Sequence, residues 1–273
     1  MARTGCPAHR FPLVLAAGLL LLAPALRTHA SPAFEPGENG YLSVTVLAAR
    51  AGFGLDYAKR SGSGITAKLQ DDFNLGGTTA LPWYAAGLRL TERLSVGAEY
   101  LSYASNSEGE AKRKVKFGPF RFFVAAPTDY AYFAEVARGW LSYEHPLGEQ
   151  TRAALFAGLS AVRLHLSANA NGLGGKSERG AVAMPTLGAR LSHGDPQLVR
   201  FSASADYSFA GFDRARGRAL DVSLLAERRW EHGFVFGAGY RYYGMRFDAD
   251  RRNYEARFDS SFRGPFVSVR WTF

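Results

Sequence analysis

His165 and Ser167 stand two residues apart, and Glu178 follows eleven residues after Ser167. Side chains at i and i+2 of a strand share a face, so an imidazole and a hydroxyl would sit side by side there. With Glu178 holding the ring, the pair would supply a general base and an acyl-transfer nucleophile. A polar strand end running into a loop yields the same three residues without any chemistry. The other histidines offer less. His9 and His29 belong to the N-terminal stretch, while His145, His193 and His232 fall in turn-like segments. No His-Glu-x-x-His occurs, and the only cysteine, Cys6, lies near the start. The sequence therefore points to no metal and no cofactor.

A second set is electrostatic. Arg89, Glu99, Glu135, Arg200, Asp206, Asp221, Glu227, Arg241 and Arg270 each interrupt a stretch of apolar or small residues. Gathered on one side of a sheet, such charges would pair into a ladder or line a path for small solutes. A third set is cationic: Lys112, Arg113, Lys114 and Lys116 in one polar stretch, Arg214, Arg216 and Arg218 in another. Such groups bind phosphate oxygens strongly, so phosphorylated headgroups are one target and plain solvation is the other reading.

Strands must position these residues. Ten segments alternate apolar with polar or small residues: roughly 41–57, 79–91, 94–103, 129–143, 155–161, 181–191, 199–209, 220–227, 234–242 and 264–273. The clearest sets Val199, Phe201, Ala203, Ala205, Tyr207 and Phe209 against Arg200, Ser202, Ser204, Asp206 and Ser208. A period of two marks a strand with two unlike faces. Connections after the second, fourth, sixth and eighth segments are tight turns. The others, Ala58–Gly77, Ser105–Thr128, Ser167–Gly180, Phe212–Arg218 and Asp248–Tyr254, read as mostly longer polar loops. After residue 30 no apolar run is long enough for a membrane-spanning helix.

The N-terminus has its own logic. Arg3 and Arg10 precede the apolar run Phe11 to Leu26, and Thr28-His29-Ala30 offers a small-residue cleavage site. Residues 1–30 are expected to be a secretory signal peptide, with Ala23-Pro24-Ala25 as a second site. A leader, 31–40, and one strand domain, 41–273, follow. The formal charge is +9, and Arg3, Arg10 and Arg27 carry three of it, leaving 9 − 3 = +6 on the mature chain. An exported protein is not expected to meet nucleic acid, so anionic lipid is the expected counterion.

From Gly264 onward, Val267, Val269, Trp271 and Phe273 share one face, and the chain stops on the aromatic. This closely resembles the closing strand of bacterial outer-membrane β-barrels. With the alternation and the loop asymmetry, the resemblance covers nearly the whole chain beyond the leader. It implies an all-β, transmembrane, antiparallel up-and-down barrel of about 10 strands with both termini periplasmic. Apolar faces then meet lipid and the charged set lies inside. An eight-stranded lumen is already filled by side chains and ten strands are only slightly wider, so the charges are expected to form a plug-like ladder. The resemblance also implies that the Val267–Phe273 face is the signal read by the barrel-assembly machinery. Trp83, Trp140, Trp230 and Trp271 would form aromatic girdles, and the partners would be outer-membrane lipids and lipopolysaccharide.

The His165-x-Ser167…Glu178 spacing resembles that of lipid A deacylases, which are outer-membrane esterases. Their motif has Asn directly after Ser, where this chain has Ala168, and their barrel is shorter. Outer-membrane proteases of the omptin kind use an Asp-x-His element that does not occur here, and Asp71-Asp72 is a bare pair. The reading carried forward is a non-enzymatic surface barrel for adhesion, envelope integrity or limited small-solute passage. The alternative is a lipid A deacylase-like esterase using His165, Ser167 and Glu178.

Overall fold

The structure, a computed structural model, describes residues 38–59, 64–68, 77–110, 116–117, 120–121, 127–170, 174–195, 197–212, 215–251 and 254–273. Ten long strands follow the ten alternating segments: β1 (Gly40–Lys59), β2 (Gly77–Arg89), β3 (Leu94–Glu110), β4 (Pro127–Pro146) and β5 (Thr151–Ala170), then β6 (Gly174–Asp195), β7 (Val199–Phe212), β8 (Ala215–Arg229), β9 (Phe234–Arg251) and β10 (Tyr254–Thr272). Each pairs antiparallel with its chain neighbours, and β10 returns to β1, with Tyr41 opposite Thr272 and Lys59 opposite Tyr254. The sheet has no long free edge, which is the condition for strands to cross hydrocarbon. A short strand, Gly64–Lys68, pairs onto β1, and Lys116–Phe117 pairs with Phe120–Arg121 apart from the barrel.

The register fixes the cylinder. Directly opposed residues run Gly40, Leu88, Val96, Leu141, Ala157, Leu187, Tyr207, Leu220, Gly244, Ser261 and back to Gly52, which is 52 − 40 = 12 residues further along β1. With strands ~4.8 Å apart and a rise of ~3.3 Å, that stagger tilts the strands by roughly 40° and sets a backbone radius of about 10 Å. The turns at 90–93, 147–150, 197–198 and 230–233 share one rim with residues 38–40 and Phe273. The longer connections share the other. At the turn rim the seam is closed by Phe273 N–H to the Gly40 carbonyl and Gly40 N–H to the Phe273 carbonyl, both 3.0 Å. Gly233 there has φ +79°, and a side chain would run into the Thr272 carbonyl.

The two faces separate as the alternation requires. Phe201 is 60% exposed on the outside and its neighbour Arg200 is 5% exposed on the inside. Leu155, Leu224 and Val267 also face out. Two expectations need correction. The stretches read as loops at 167–180, 212–218 and 248–254 are mostly strand: β5 runs to Ala170 and β6 starts at Gly174, β7 runs to Phe212 and β8 starts at Ala215, and β9 runs to Arg251 and β10 starts at Tyr254. Strands that continue past the lipid are wet on both faces and lose their alternation, so they look like loops. Nor is the interior polar throughout. Toward the loop rim it holds Leu47, Leu81, Leu101, Met184 and Met245 around the rings of Phe53, Tyr103, Tyr132 and Phe262, spaced 4.6–5.9 Å. From Val46 to Phe53 both faces of β1 are largely apolar, so periodicity carried no sign of this core. Residues 1–37, to which the signal peptide and most of the leader were assigned, lie outside the described residues.

Candidate functional site in the barrel interior

Half-way along the barrel a layer of charges crosses the lumen. Each inward position is the next step of the alternation on its strand: Glu99 on β3, Arg138 on β4, Asp206 on β7, Asp221 on β8 and Arg241 on β9. Arg138 is the hub. Its Nη1 donates to Asp206 Oδ2 at 3.0 Å, its Nη2 to Asp221 Oδ2 at 3.3 Å and its Nε to Ser160 Oγ at 3.3 Å. Glu99 lies 3.8 Å from the same guanidinium. Arg241 Nε donates to Asp221 Oδ1 at 2.9 Å, and its plane stacks on Trp83, with Cζ 3.2 Å from the ring centroid. Trp83 Nε1 in turn donates to Glu99 Oε2 at 3.2 Å. Beside Arg138, Ser160, Thr186 and Ser208 form a hydroxyl triangle with sides of 2.8, 2.6 and 3.3 Å. Eight strands thus reach into one network.

Nearer the turn rim a second cluster repeats the arrangement. Glu227 accepts from Arg200 Nε at 2.8 Å and from Arg270 Nη2 at 3.0 Å, and Arg270 lies over Tyr41. Arg229 pairs with Glu38, and Arg152 lies 3.7 Å from Glu144. Every one of these carboxylates meets a guanidinium. Burial of an unpaired charge costs several kcal/mol, so the pairing explains how ionised groups are tolerated here. Chemically the layer can hold the wall together and fill the bore.

Eight of the nine predicted ladder residues face inward; Arg89 is half-buried near the turn rim. Glu135 does not join them. It sits on the outer face between buried Ala134 and Val136, accepts from Tyr100 Oη at 2.8 Å and pairs with Arg163 at 3.1 Å. The residue that the sequence reading missed is Arg138, three positions on. The signal was there: Leu141 and Tyr143 are the apolar face of β4, which puts Ser142, Trp140 and Arg138 on the other.

Two of the predicted girdle tryptophans are also corrected. Trp83 is 3% exposed inside the barrel, under Arg241. Trp140 shares the inward face with Arg138, and its indole fills the space over Gly97. Trp230 and Trp271 do face out at the turn rim, beside Phe236 and Phe273. Val267, Val269, Trp271 and Phe273 share the outer face of β10.

The residues of the esterase constellation lie on two neighbouring strands, β5 and β6. His165 and Ser167 lie on the outer side of β5, since buried Val162 and Ser160 are in phase with the inner side. Glu178 on β6 has Leu166 as its backbone partner, and its side chain lies outside what the structure describes. Of the cationic set, Arg216 and Arg218 are exposed on β8, Lys116 belongs to the short hairpin, and Lys112, Arg113, Lys114 and Arg214 lie outside the described residues.

No family model and no curated protein matches this sequence. Among solved structures, the outer membrane protease OmpT from Escherichia coli aligns with a TM-score of 0.57 and 11% identity over 87% of this chain and 98% of that one. The Pseudomonas putida toluene transporter TodX aligns at 0.36 and 10%, over 89% and 92%. Ail, the attachment invasion locus protein of Yersinia pestis, aligns at 0.29 and 11%, over 84% and 99%. Of these three, only the first score supports a fold assignment, and at such identity the likeness extends to fold alone. In fold, the chain is a closed ten-stranded antiparallel β-barrel of the kind found in bacterial outer-membrane proteins.

Proposed function

We propose that this protein is an integral, non-enzymatic component of the bacterial outer membrane, exported through its N-terminal signal peptide. The barrel-assembly machinery would read its last strand. In this reading the turn rim and both termini are periplasmic, and Trp230 and Trp271 anchor the periplasmic interface. The strands rise roughly 20 Å beyond an apolar band of about 25 Å, presenting a rigid collar at the cell surface. The collar would act in adhesion or in envelope integrity.

One observation carries the reading: the Arg138 layer and the aromatic cluster above it occupy a bore of only about 10 Å backbone radius. A filled bore speaks against solute passage, and Ala168, standing where the esterase motif has Asn, speaks against the esterase. Reconstitution in a planar bilayer tests it. The wild-type barrel is expected to give no conductance steps above the bare membrane. Discrete, reproducible openings would overturn the non-conducting reading.

A further inference from the structure

Among the described residues, charged side chains are missing from the middle of the outer face and return toward the loop rim. On β8, Arg228 and Arg218 both face out and enclose Ala226, Leu224, Val222 and Leu220. Ten residues at ~3.3 Å, tilted by roughly 40°, span about 25 Å, the height of a barrel's apolar band. Arg218 therefore stands where hydrocarbon ends. Arg263 on β10 and Arg50 on β1 reach a similar height, each flanked by inward, buried neighbours.

Arg50 and Arg263 are directly opposed across the β1–β10 pair, and Arg218 and Arg246 across the β8–β9 pair. Like charges directly opposite destabilise a sheet. Arg246 is answered by Asp259. Arg50, Arg263 and Arg218 have no acidic partner among the described residues. Between the two arginine pairs runs the opposed row Gly244, Ser261 and Gly52, a low floor, with the Tyr242 ring folded over Gly244. The result is a shallow recess on the outer wall, polar-floored, flanked by guanidiniums on both sides and bordered by aliphatic surface on the turn side.

We propose that this recess binds the phosphate of a lipid A headgroup whose acyl chains lie along the apolar band below. Guanidinium forks match phosphate oxygens, a phosphate would relieve the Arg50–Arg263 like-charge pair, and the position at the hydrocarbon edge favours an anion carried on a lipid. The proposal rests on the membrane reading above, with the loop rim facing outward.

The test uses the full mature barrel in detergent and two fluorescent probes, diphosphorylated lipid A and the same lipid dephosphorylated. Wild-type barrel should bind the phosphorylated probe more tightly. Arg50→Gln with Arg263→Gln should weaken that binding by at least about tenfold, the worth of one or two charge-assisted hydrogen bonds, and leave the dephosphorylated probe unaffected. Arg228→Gln, on the opposite rim, should change neither. Equal binding of the two probes, or an unchanged double variant, overturns the site. Complete displacement by millimolar inorganic phosphate would assign it to a free anion instead. Should the double variant not fold, the two probes on wild-type barrel decide alone. A chain that gives no heat-dependent shift in gel mobility fails the membrane reading, whereas a folded barrel without phosphate preference fails only this proposal.

Discussion

Replacing Arg138 by Met keeps most of the side-chain volume and removes the charge at the centre of the layer. In the structure this guanidinium is 5% exposed and answers Asp206, 7% exposed, and Asp221, 3% exposed. Arg241 still pairs with Asp221 and approaches Glu99, so the carboxylate left alone is Asp206. One uncompensated buried charge costs about 3–5 kcal/mol, a large part of a stability of roughly 5–15 kcal/mol. Urea unfolding of the barrel in lipid vesicles, followed by tryptophan fluorescence and by the mobility shift on unboiled gels, measures it. Adding Asp206→Asn to the Met variant should restore part of the loss, with a coupling of about 0.5–3 kcal/mol. A Met variant within about 1 kcal/mol of wild type would mean that water reaches the layer, and the filled-bore argument would fail.

Trp83→Ala should cost about 3–5 kcal/mol, since it empties a buried site and strips Arg241 and Glu99 of a partner; Trp230→Ala, at the exposed rim, should cost clearly less in the same unfolding assay. Gly97→Val would push into the Trp140 indole and should cost about 1–3 kcal/mol, a loss that Trp140→Leu in the same chain should relieve. Deleting Phe273 removes the backbone hydrogen bonds to Asn39 and Gly40 that close the seam and exposes a different terminal residue to the assembly machinery. Surface levels of the deletion should fall below those of any single loop substitution, and normal levels would contradict this.

The sequence was legible wherever one strand face met lipid and the other did not. On β7 every residue from Val199 to Phe209 lies on the side its alternation predicts, because a change of phase would put Arg200 and Asp206 into hydrocarbon. The same logic located eight inward-facing charges without naming a single pair, since pairing across the bore depends on a stagger that no local pattern encodes. It failed at Glu135 and Trp140 because the charge and the aromatic were weighed singly rather than by the phase of Leu141 and Tyr143. It failed again at the loop rim, where the aromatic cluster lies inside strands that are apolar on both faces, and where strands in water look like loops. Spacing alone suggested His165, Ser167 and Glu178 as a unit. Their partnership depended on the β5–β6 register, which sets Glu178 opposite Leu166.

Apolar faces directed outward around a closed, filled interior are what set this barrel in a membrane. Single nitroxide labels placed at residues 201 to 207 of β7 in the mature barrel test this most directly in reconstituted vesicles. Collisions with lipid-dissolved oxygen should peak at 201, 203, 205 and 207, while 202 and 204 should be shielded from both oxygen and a water-soluble nickel chelate. A reversed or absent period of two, or free access of the chelate to 202 and 204, would contradict it.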